Sequence, residues 1–235
     1  MKIKALVFVS LFACIRLNAQ SNLYLKADLS HVIDRVETKN FDSNITQPTA
    51  YSNISTSLYF GHQFKPYLSV ESGIIHKPYT NGFRVIIDER TIQATNEEVI
   101  NRYQIPIRLN IHTNLNNEKL FFDASLAYHL GFNPNDNIRS ERISAGEKTF
   151  VINRDSNTNY HLVEIRTGIS YQIADDWSLY CAISLMQGFS QVERTSISEY
   201  EGNEKVDSNV FIDKGNYINM ALGFCYRLNN LKKLI

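Results

Sequence analysis

A strict alternation of apolar and polar side chains over residues 103–112 is the feature that most constrains the fold of this chain. Every odd position in the stretch is apolar: Tyr103, Ile105, Ile107, Leu109 and Ile111. The even positions are mostly polar and include a charged arginine near the centre. Because successive side chains of a β-strand point to opposite faces, the stretch predicts a strand with one apolar and one polar face.

The same pattern recurs along the chain and predicts eight strands. The predicted strands cover residues 23–35, 50–64, 67–79, 103–112, 119–132, 160–173, 177–189 and 217–228. Each has 10 to 15 residues, enough for a tilted strand to cross the hydrocarbon layer of a membrane. Pro106 interrupts one of them and lacks an N–H donor, so a bulge is expected there.

The connections between these strands alternate in length. Residues 37–48, 80–101, 133–159 and 190–215 form long polar stretches that are predicted to be loops, with strand extension allowed around residues 85–87. Residues 64–67, 113–118 and 174–176 form short turns. A barrel inserted from one side of a membrane sorts its connections in this way. The sequence therefore predicts an all-β, eight-stranded, antiparallel, up-and-down transmembrane β-barrel with four long extracellular loops and three short periplasmic turns.

The aromatic residues on the apolar face are predicted to face lipid near the two membrane interfaces. Most lie beside the short turns and two lie beside the long loops, as in the aromatic girdles of membrane barrels. They are Phe60, Phe64, Phe122, Phe132, Tyr171, Trp177, Phe189, Phe224 and Tyr226.

The polar face carries charges that are predicted to point into the barrel. They are Lys26, Asp28, Glu71, Arg108, Asp123, Glu164, Arg166 and Arg227. Eight strands enclose a space that side chains fill, and buried charges need partners. We therefore expect a lumen network of ion pairs and hydrogen bonds rather than a pore.

The first nineteen residues have the composition of a secretory signal. Lys2 and Lys4 precede an apolar run that ends at Ile15, and Ala19 stands before a plausible cleavage site. A lipoprotein signal cleaved before Cys14 is the alternative. The predicted division is a signal peptide over 1–19, an outer-membrane barrel domain over 20–228 and a short periplasmic tail over 229–235.

Several motifs resemble those of outer-membrane β-barrel proteins of the Bacteroidota, the group that includes PorT-like proteins. Residues 103–109 (Tyr-Gln-Ile-Pro-Ile-Arg-Leu) resemble that group's aromatic-x-Ile-Pro-Leu-x-Leu strand, and residues 70–74 are similar to its Leu-Glu-x-Gly-Leu strand. Residues 223–227 resemble its closing Gly-x-x-Tyr-Lys/Arg strand, and Ala19-Gln20 is similar to its usual signal cleavage point. The resemblance implies a place in the cell outer membrane and a role in protein secretion or surface export.

Other functions find little support in the sequence. The 24 basic and 24 acidic residues balance, so nucleic acid is not an expected partner. Neither a cofactor, a metal nor an enzyme activity is expected. Ser30, His31 and Asp34 could supply a hydrolase only if neighbouring side chains shared a face, which a strand forbids. Outer-membrane lipid is the expected partner, with protein partners at the extracellular loops or the periplasmic face, and the chain is expected to be a monomer. A soluble, secreted, lipocalin-like barrel that binds a small apolar ligand is the alternative, and it requires the apolar face to point inward.

Overall fold

The computed structural model describes residues 22–39, 46–50, 52–87, 90–93, 98–115, 118–134, 139–145 and 147–228 of this 235-residue chain. No helix within these ranges is long and apolar enough to span a membrane. The predicted signal peptide (1–19), with Cys14, and the predicted tail (229–235) lie outside the described residues. The domain boundaries therefore stay predictions.

The described residues form thirteen β-strands. In chain order they are β1 (Leu23–Lys39), β2 (Thr46–Ala50), β3 (Ser52–Lys65), β4 (Leu68–Ile87), β5 (Arg90–Gln93), β6 (Glu98–Asn114), β7 (Leu120–Phe132), β8 (Arg139–Ala145), β9 (Lys148–Ser156), β10 (Asn159–Ala174), β11 (Trp177–Gly188), β12 (Glu193–Glu201) and β13 (Glu204–Arg227). Eight of them pair antiparallel in the order β1-β3-β4-β6-β7-β10-β11-β13, and β13 pairs back with β1. The closed, eight-stranded antiparallel barrel confirms the predicted fold class.

The short turns lie at the same end of the barrel as the first residues of β1 and the last residues of β13. Pro66 and Tyr67 join β3 to β4, and Asp175 and Asp176 join β10 to β11. The Arg227 N–H donates to the Asp176 carbonyl oxygen (2.8 Å), and the Leu228 N–H donates to that of Leu23 (2.8 Å). We call this the turn end of the barrel and the opposite one the loop end.

The structure corrects the prediction that the long connections are loops. Residues 133–159 and 190–215 contain β8, β9, β12 and the first half of β13, which pair in the order β13-β12-β9-β8. We call these four segments the loop-end sheet. At the same end β4 continues to Ile87 and pairs with β2 and β5. Strands that stand in water need no apolar outer face, so the alternation that marks a membrane strand is missing from their sequences.

The bulge expected at Pro106 is absent. Ser72 pairs with Ile107 and Ile75 pairs with Gln104, so the register between β4 and β6 is the same on both sides of the proline. Only the two intervening rungs are missing, and the Ser72 hydroxyl donates to the Pro106 carbonyl oxygen (2.7 Å). The sheet therefore tolerates the missing N–H donor by losing ladder bonds, without inserting a residue.

Tyrosine–glycine pairs set how the lumen is filled. Four inward tyrosines lie directly opposite a glycine on the next strand: Tyr24–Gly61, Tyr59–Gly73, Tyr160–Gly131 and Tyr180–Gly223. A Cβ atom on Gly61 would stand 2.1 Å from a Tyr24 ring carbon, and one on Gly131 would stand 2.2 Å from the Tyr160 ring. Because glycine has no Cβ atom, each of these two tyrosine rings can lie over the neighbouring strand.

A bulge in β13 marks the change from barrel to loop-end sheet. Arg35 pairs with Asn216, whereas Glu37 pairs with Ile212, so β13 carries two extra residues between these rungs. Gly215 within this bulge has φ +76°, a conformation that residues with a Cβ rarely adopt. Its N–H donates to the Asp213 carboxylate (2.6 Å). The bulge bends the strand where it leaves the barrel wall.

Candidate functional site

The barrel wall has an apolar outer face and a polar inner face. Arg108 is 1% exposed, whereas its neighbours Ile107 and Leu109 are 56% and 46% exposed on the outside. The outer apolar run of β6 over residues 103–111 is about 27 Å long, which at a tilt of about 40° gives a band about 21 Å high. This height suits the hydrocarbon layer. The alternative of a lipocalin-like barrel is wrong, because it needs the apolar face inside.

All nine aromatic residues predicted to face lipid lie on the outward parity of the wall. Seven of them stand toward the turn end, where the Trp177 and Tyr226 rings are 4.8 Å apart. Phe132 and Phe189 lie at the loop end, and Phe132 is partly covered. The seven are Phe60, Phe64, Phe122, Tyr171, Trp177, Phe224 and Tyr226.

Histidine–tyrosine contacts on the outer face toward the loop end were missed in the sequence. The Tyr128 hydroxyl lies 2.6 Å from His161 Nδ1, and the rings of His76 and Tyr103 are 5.3 Å apart. In the sequence, Tyr103 and Tyr128 look like ordinary lipid-facing positions, because the histidines that contact them lie on neighbouring strands. These amphipathic side chains suit the membrane–water interface.

Arg108 lies at the centre of an ion-pair network that fills the lumen. Its guanidinium contacts the carboxylates of Glu71 and Glu164, the second at 2.6 Å. Lys26 Nζ lies 3.1 Å from Glu71, and His129 Nε2 lies 3.0 Å from Glu164. Because each carboxylate has more than one cationic or N–H partner, their desolvation is offset by several short contacts.

A second part of this network joins β1, β10 and β11. Arg166 contacts Asp28 at 3.4 Å, and the Tyr180 hydroxyl donates to the same carboxylate (2.9 Å). We call the whole set the central network; it holds three bases and three acids: Lys26, Arg108, Arg166, Asp28, Glu71 and Glu164.

Two of the eight predicted lumen charges lie outside the central network. Asp123 is half-buried near the turn end and contacts His112. Arg227 lines the mouth of the lumen at the same end. The structure thus places all eight on the inner face and brings six of them together.

A second buried network lies nearer the loop end and was missed in the sequence. Arg102 contacts Asp213 at 2.6 Å and Glu193 at 3.0 Å, and its guanidinium lies 3.8 Å from the centre of the Tyr79 ring. Lys77 contacts Asp34 at 2.5 Å. We call these five charged residues the loop-end network: Asp34, Lys77, Arg102, Glu193 and Asp213. Asp34 and Lys77 lie at inward positions of predicted strands, which was a usable signal. The partners of Arg102, which are Glu193 and Asp213, lie in the stretch 190–215 that was predicted to be a loop.

Apolar residues close the lumen between the two networks and the loop-end sheet. One buried cluster consists of Val32, Tyr160, Leu162, Met186, Val192 and Tyr217. A second cluster, formed by Phe150, Ile152, Ile197 and Phe211, lies on the inner face of the loop-end sheet. Among the described residues, two ion networks and two apolar clusters therefore lie one after another along the interior.

A further ion cluster lies on the loop-end sheet. Lys148 contacts Glu199 at 2.8 Å and Glu201 at 3.6 Å. The hydrogen bond to Glu199 is the main reason that the pKa of Lys148 is raised. Because Lys148 is about one-third exposed, the cluster adds little to stability.

The residues weighed as a hydrolase site do not come together, and the two cysteines of the barrel do not form a disulfide. Ser30 is buried in the lumen and His31 is exposed on the lipid face, so they point apart as the strand geometry requires. Cys181 faces outward and Cys225 inward, and both thiols are free. No cluster of three or more histidine, cysteine or acidic side chains suited to a metal ion occurs in the described part of the chain.

Comparison with known proteins identifies the fold. No protein-family model matches the sequence, and no curated protein sequence matches it. The structure is similar to that of the outer membrane protein OprG from Pseudomonas aeruginosa, with 12% identity over 88% of this chain and 96% of OprG and a TM-score of 0.55. It is also similar to Neisserial surface protein A, with 11% identity over 90% of this chain and 100% of that one, at a TM-score of 0.49. The likeness to OprG and the apolar outer face together show that the chain has the fold of an eight-stranded outer-membrane β-barrel.

Proposed function

We propose that the protein is an integral outer-membrane barrel that acts through its surfaces, as a structural or protein-interaction component, and not as a channel. The observation that carries this proposal is the filled lumen. Arg108, Glu71 and Glu164 meet at its centre, and apolar side chains cover the loop end of the interior. A barrel with a closed lumen can interact with lipid or with other proteins only through its outer wall and its two ends.

The asymmetry of the two ends supports an orientation. Short turns face the periplasm in membrane barrels, and long connections face outward. On this rule the loop-end sheet stands outside the cell and the turn end faces the periplasm. Outer-membrane lipid surrounds the wall, and protein partners meet the loop-end sheet or the periplasmic face. We expect a monomer, because the filled interior is complete within one chain.

A role in protein secretion or surface export is the finer part of the proposal. It rests on the resemblance of residues 70–74, 103–109 and 223–227 to strands of PorT-like proteins. Its test is a deletion strain in which surface and secreted proteins are compared with those of the parent by mass spectrometry. Loss of a defined set of cargo proteins, restored by the intact gene, supports the role, and an unchanged set of exported proteins contradicts it.

Location and closure are tested separately. We expect the protein in the membrane fraction, with faster gel mobility before boiling than after it. In a planar lipid bilayer the refolded protein should give no stepwise ion current. Recovery in the soluble fraction would contradict the membrane location, and a steady single-channel current would contradict the closed lumen.

A further inference from the structure

A serine, a histidine and an aspartate form a hydrogen-bonded relay inside the turn end of the barrel. Ser69 Oγ lies 2.8 Å from His112 Nε2, and His112 Nδ1 lies 2.5 Å from the Asp123 carboxylate. The serine bonds one ring nitrogen and the acid bonds the other, which is the order required to activate a serine hydroxyl. The proposed function does not use this group.

The register of three adjacent strands brings the relay together. His112 on β6 lies directly opposite Asp123 on β7. Ser69 on β4 lies opposite Asn110, one inward position along β6 from His112. β7 follows β6 after a short connection, and β4 follows β3 after the two-residue turn at Pro66 and Tyr67, so all three relay residues lie near the turn end. The relay therefore sits on rigid strands rather than on a loop, which favours precise geometry.

The surrounding hydrogen bonds suit a serine that gives its proton to histidine. The Tyr24 hydroxyl lies 2.9 Å from Ser69 Oγ and 3.1 Å from the Glu71 carboxylate. Because the Tyr24 hydroxyl donates to Ser69 Oγ at the shorter of these two distances, the Ser69 proton is left for His112. The Asn110 amide nitrogen is 3.3 Å from Ser69 Oγ and can donate to an oxygen that develops negative charge beside it.

A small vestibule opens beside the relay at the turn end. His112, Asp123, Lys26, Tyr24 and Arg227 are among the residues that line it. Its cavity volume is about 60 Å³. A group as short as an acetyl suits this space, whereas a long acyl chain does not.

We propose that Ser69 and His112 are the catalytic residues of an esterase site for short acyl groups that enter from the turn end, with Asp123 as the positioning residue for His112. Ser69 Oγ adds to the ester carbonyl carbon while its proton passes to His112 Nε2. The bond to the alcohol oxygen then breaks, and His112 returns the proton to that oxygen. Water adds next to the acyl carbon, its proton passes through His112 to Ser69 Oγ, and the acid leaves. One ester and one water thus give one acid and one alcohol.

The Tyr24 side chain controls access of a substrate to Ser69. Ser69 is 0% exposed, and Tyr24, which contacts it, also lines the vestibule. Movement of the Tyr24 side chain is therefore the step that admits the acyl group. The Tyr24 ring lies over Gly61, a contact that a rotation of the ring would release.

The test uses full-length protein refolded in detergent, with p-nitrophenyl acetate and p-nitrophenyl decanoate as substrates. We expect hydrolysis of the acetate and little of the decanoate. Ser69→Ala should lower kcat/KM for the acetate about 100-fold or more. Ser140→Ala, which changes an exposed serine of β8 in the loop-end sheet, outside the vestibule, should leave the rate unchanged. Gel mobility with and without boiling shows that every variant is folded.

Covalent labelling and a conservative pair of variants separate catalysis from a merely structural bond. Diisopropyl fluorophosphate should modify Ser69 in the folded protein, located by peptide mass spectrometry, and Tyr24→Ala should speed this reaction several-fold. Asp123→Asn should lose hydrolysis and Asp123→Glu should regain part of it. Folded wild-type protein that hydrolyses the acetate no faster than Ser69→Ala, or that is labelled on another serine, overturns the proposal. Either result leaves the proposed function in the membrane untouched.

Discussion

The barrel wall and the loop-end sheet are built from one continuous β-sheet but obey opposite rules of polarity. In the barrel the outer face is apolar and the inner face is charged, with Arg108 buried between Glu71 and Glu164. In the loop-end sheet the inner face holds an apolar core that includes Phe150 and Phe211. The same strand, β13, passes from one rule to the other at the bulge around Gly215.

The contrast teaches that the surrounding solvent decides which face of a strand is apolar. Where the wall meets lipid, apolar side chains are stable outside, and the polar ones turn inward and pair. Where the wall meets water, apolar side chains gain by facing each other inside. Ion pairs connect the two regions at their boundary: Arg102 of the barrel pairs with Glu193 and Asp213 of the loop-end segments.

The largest effect is expected from breaking the central network. Arg108→Met leaves Glu71 and Glu164 with fewer cationic partners and should lower the free energy of unfolding of the barrel by about 3–5 kcal/mol. Urea titration in lipid vesicles, read by gel mobility without boiling, measures it. Arg194→Met, at an exposed position of the loop-end sheet, is the matched control and should stay within about 0.5 kcal/mol. Equal stability of the two variants would show that the network is not stabilising.

An added charge tests whether the barrel wall faces lipid while the loop-end sheet faces water. Leu126→Arg lies in the middle of the lipid-facing band and should cost about 2–4 kcal/mol of barrel stability, because lipid cannot solvate the charge. Asn153→Arg lies exposed on the loop-end sheet and should cost almost nothing. The same urea titration compares them. If both arginines are tolerated equally, the band around Leu126 does not face lipid.

The tyrosine–glycine pairs predict an intermediate effect. Gly131→Ala places a Cβ atom 2.2 Å from the Tyr160 ring, so the ring must move and barrel stability should fall by about 1–3 kcal/mol. Tyr160→Leu alone, which removes the ring and keeps Gly131, is the control for the loss of the tyrosine. The double variant Gly131→Ala with Tyr160→Leu should recover part of the loss. No recovery would mean that the clash is not the cause.

The smallest effect on the barrel is expected from the core of the loop-end sheet. Phe150→Ala removes a buried ring and should loosen the loop-end sheet, while barrel stability changes by no more than about 0.5 kcal/mol. Hydrogen exchange should quicken in β9 and β12 and stay slow in β6 and β7. Equal loss of protection in all four strands would show that the two regions unfold as one unit.

The sequence predicted the barrel better than it predicted the site. The alternation of Ile105, Ile107 and Leu109 is a local pattern, and a short turn places the next strand beside the previous one. The number of wall strands and the side on which each residue lies could therefore be predicted from the sequence. Inward charges such as Arg108 and Glu164 were identified for the same reason. The loop-end strands were missed because strands in water lack a lipid-facing apolar parity. The relay of Ser69, His112 and Asp123 was missed because its members come from three different strands.

By itself the sequence determined the eight wall strands, their apolar outer face and the identity of most lumen charges, since each depends on a two-residue period within one strand. The tertiary structure decided which charges meet. Arg102 and Asp213 are 111 residues apart in the chain, and Asp28 and Arg166 are 138 apart. Such pairs depend on closure of the barrel and on the register of every strand between them. No local period contains that information, and so the networks, the loop-end sheet and the relay became visible only in the folded protein.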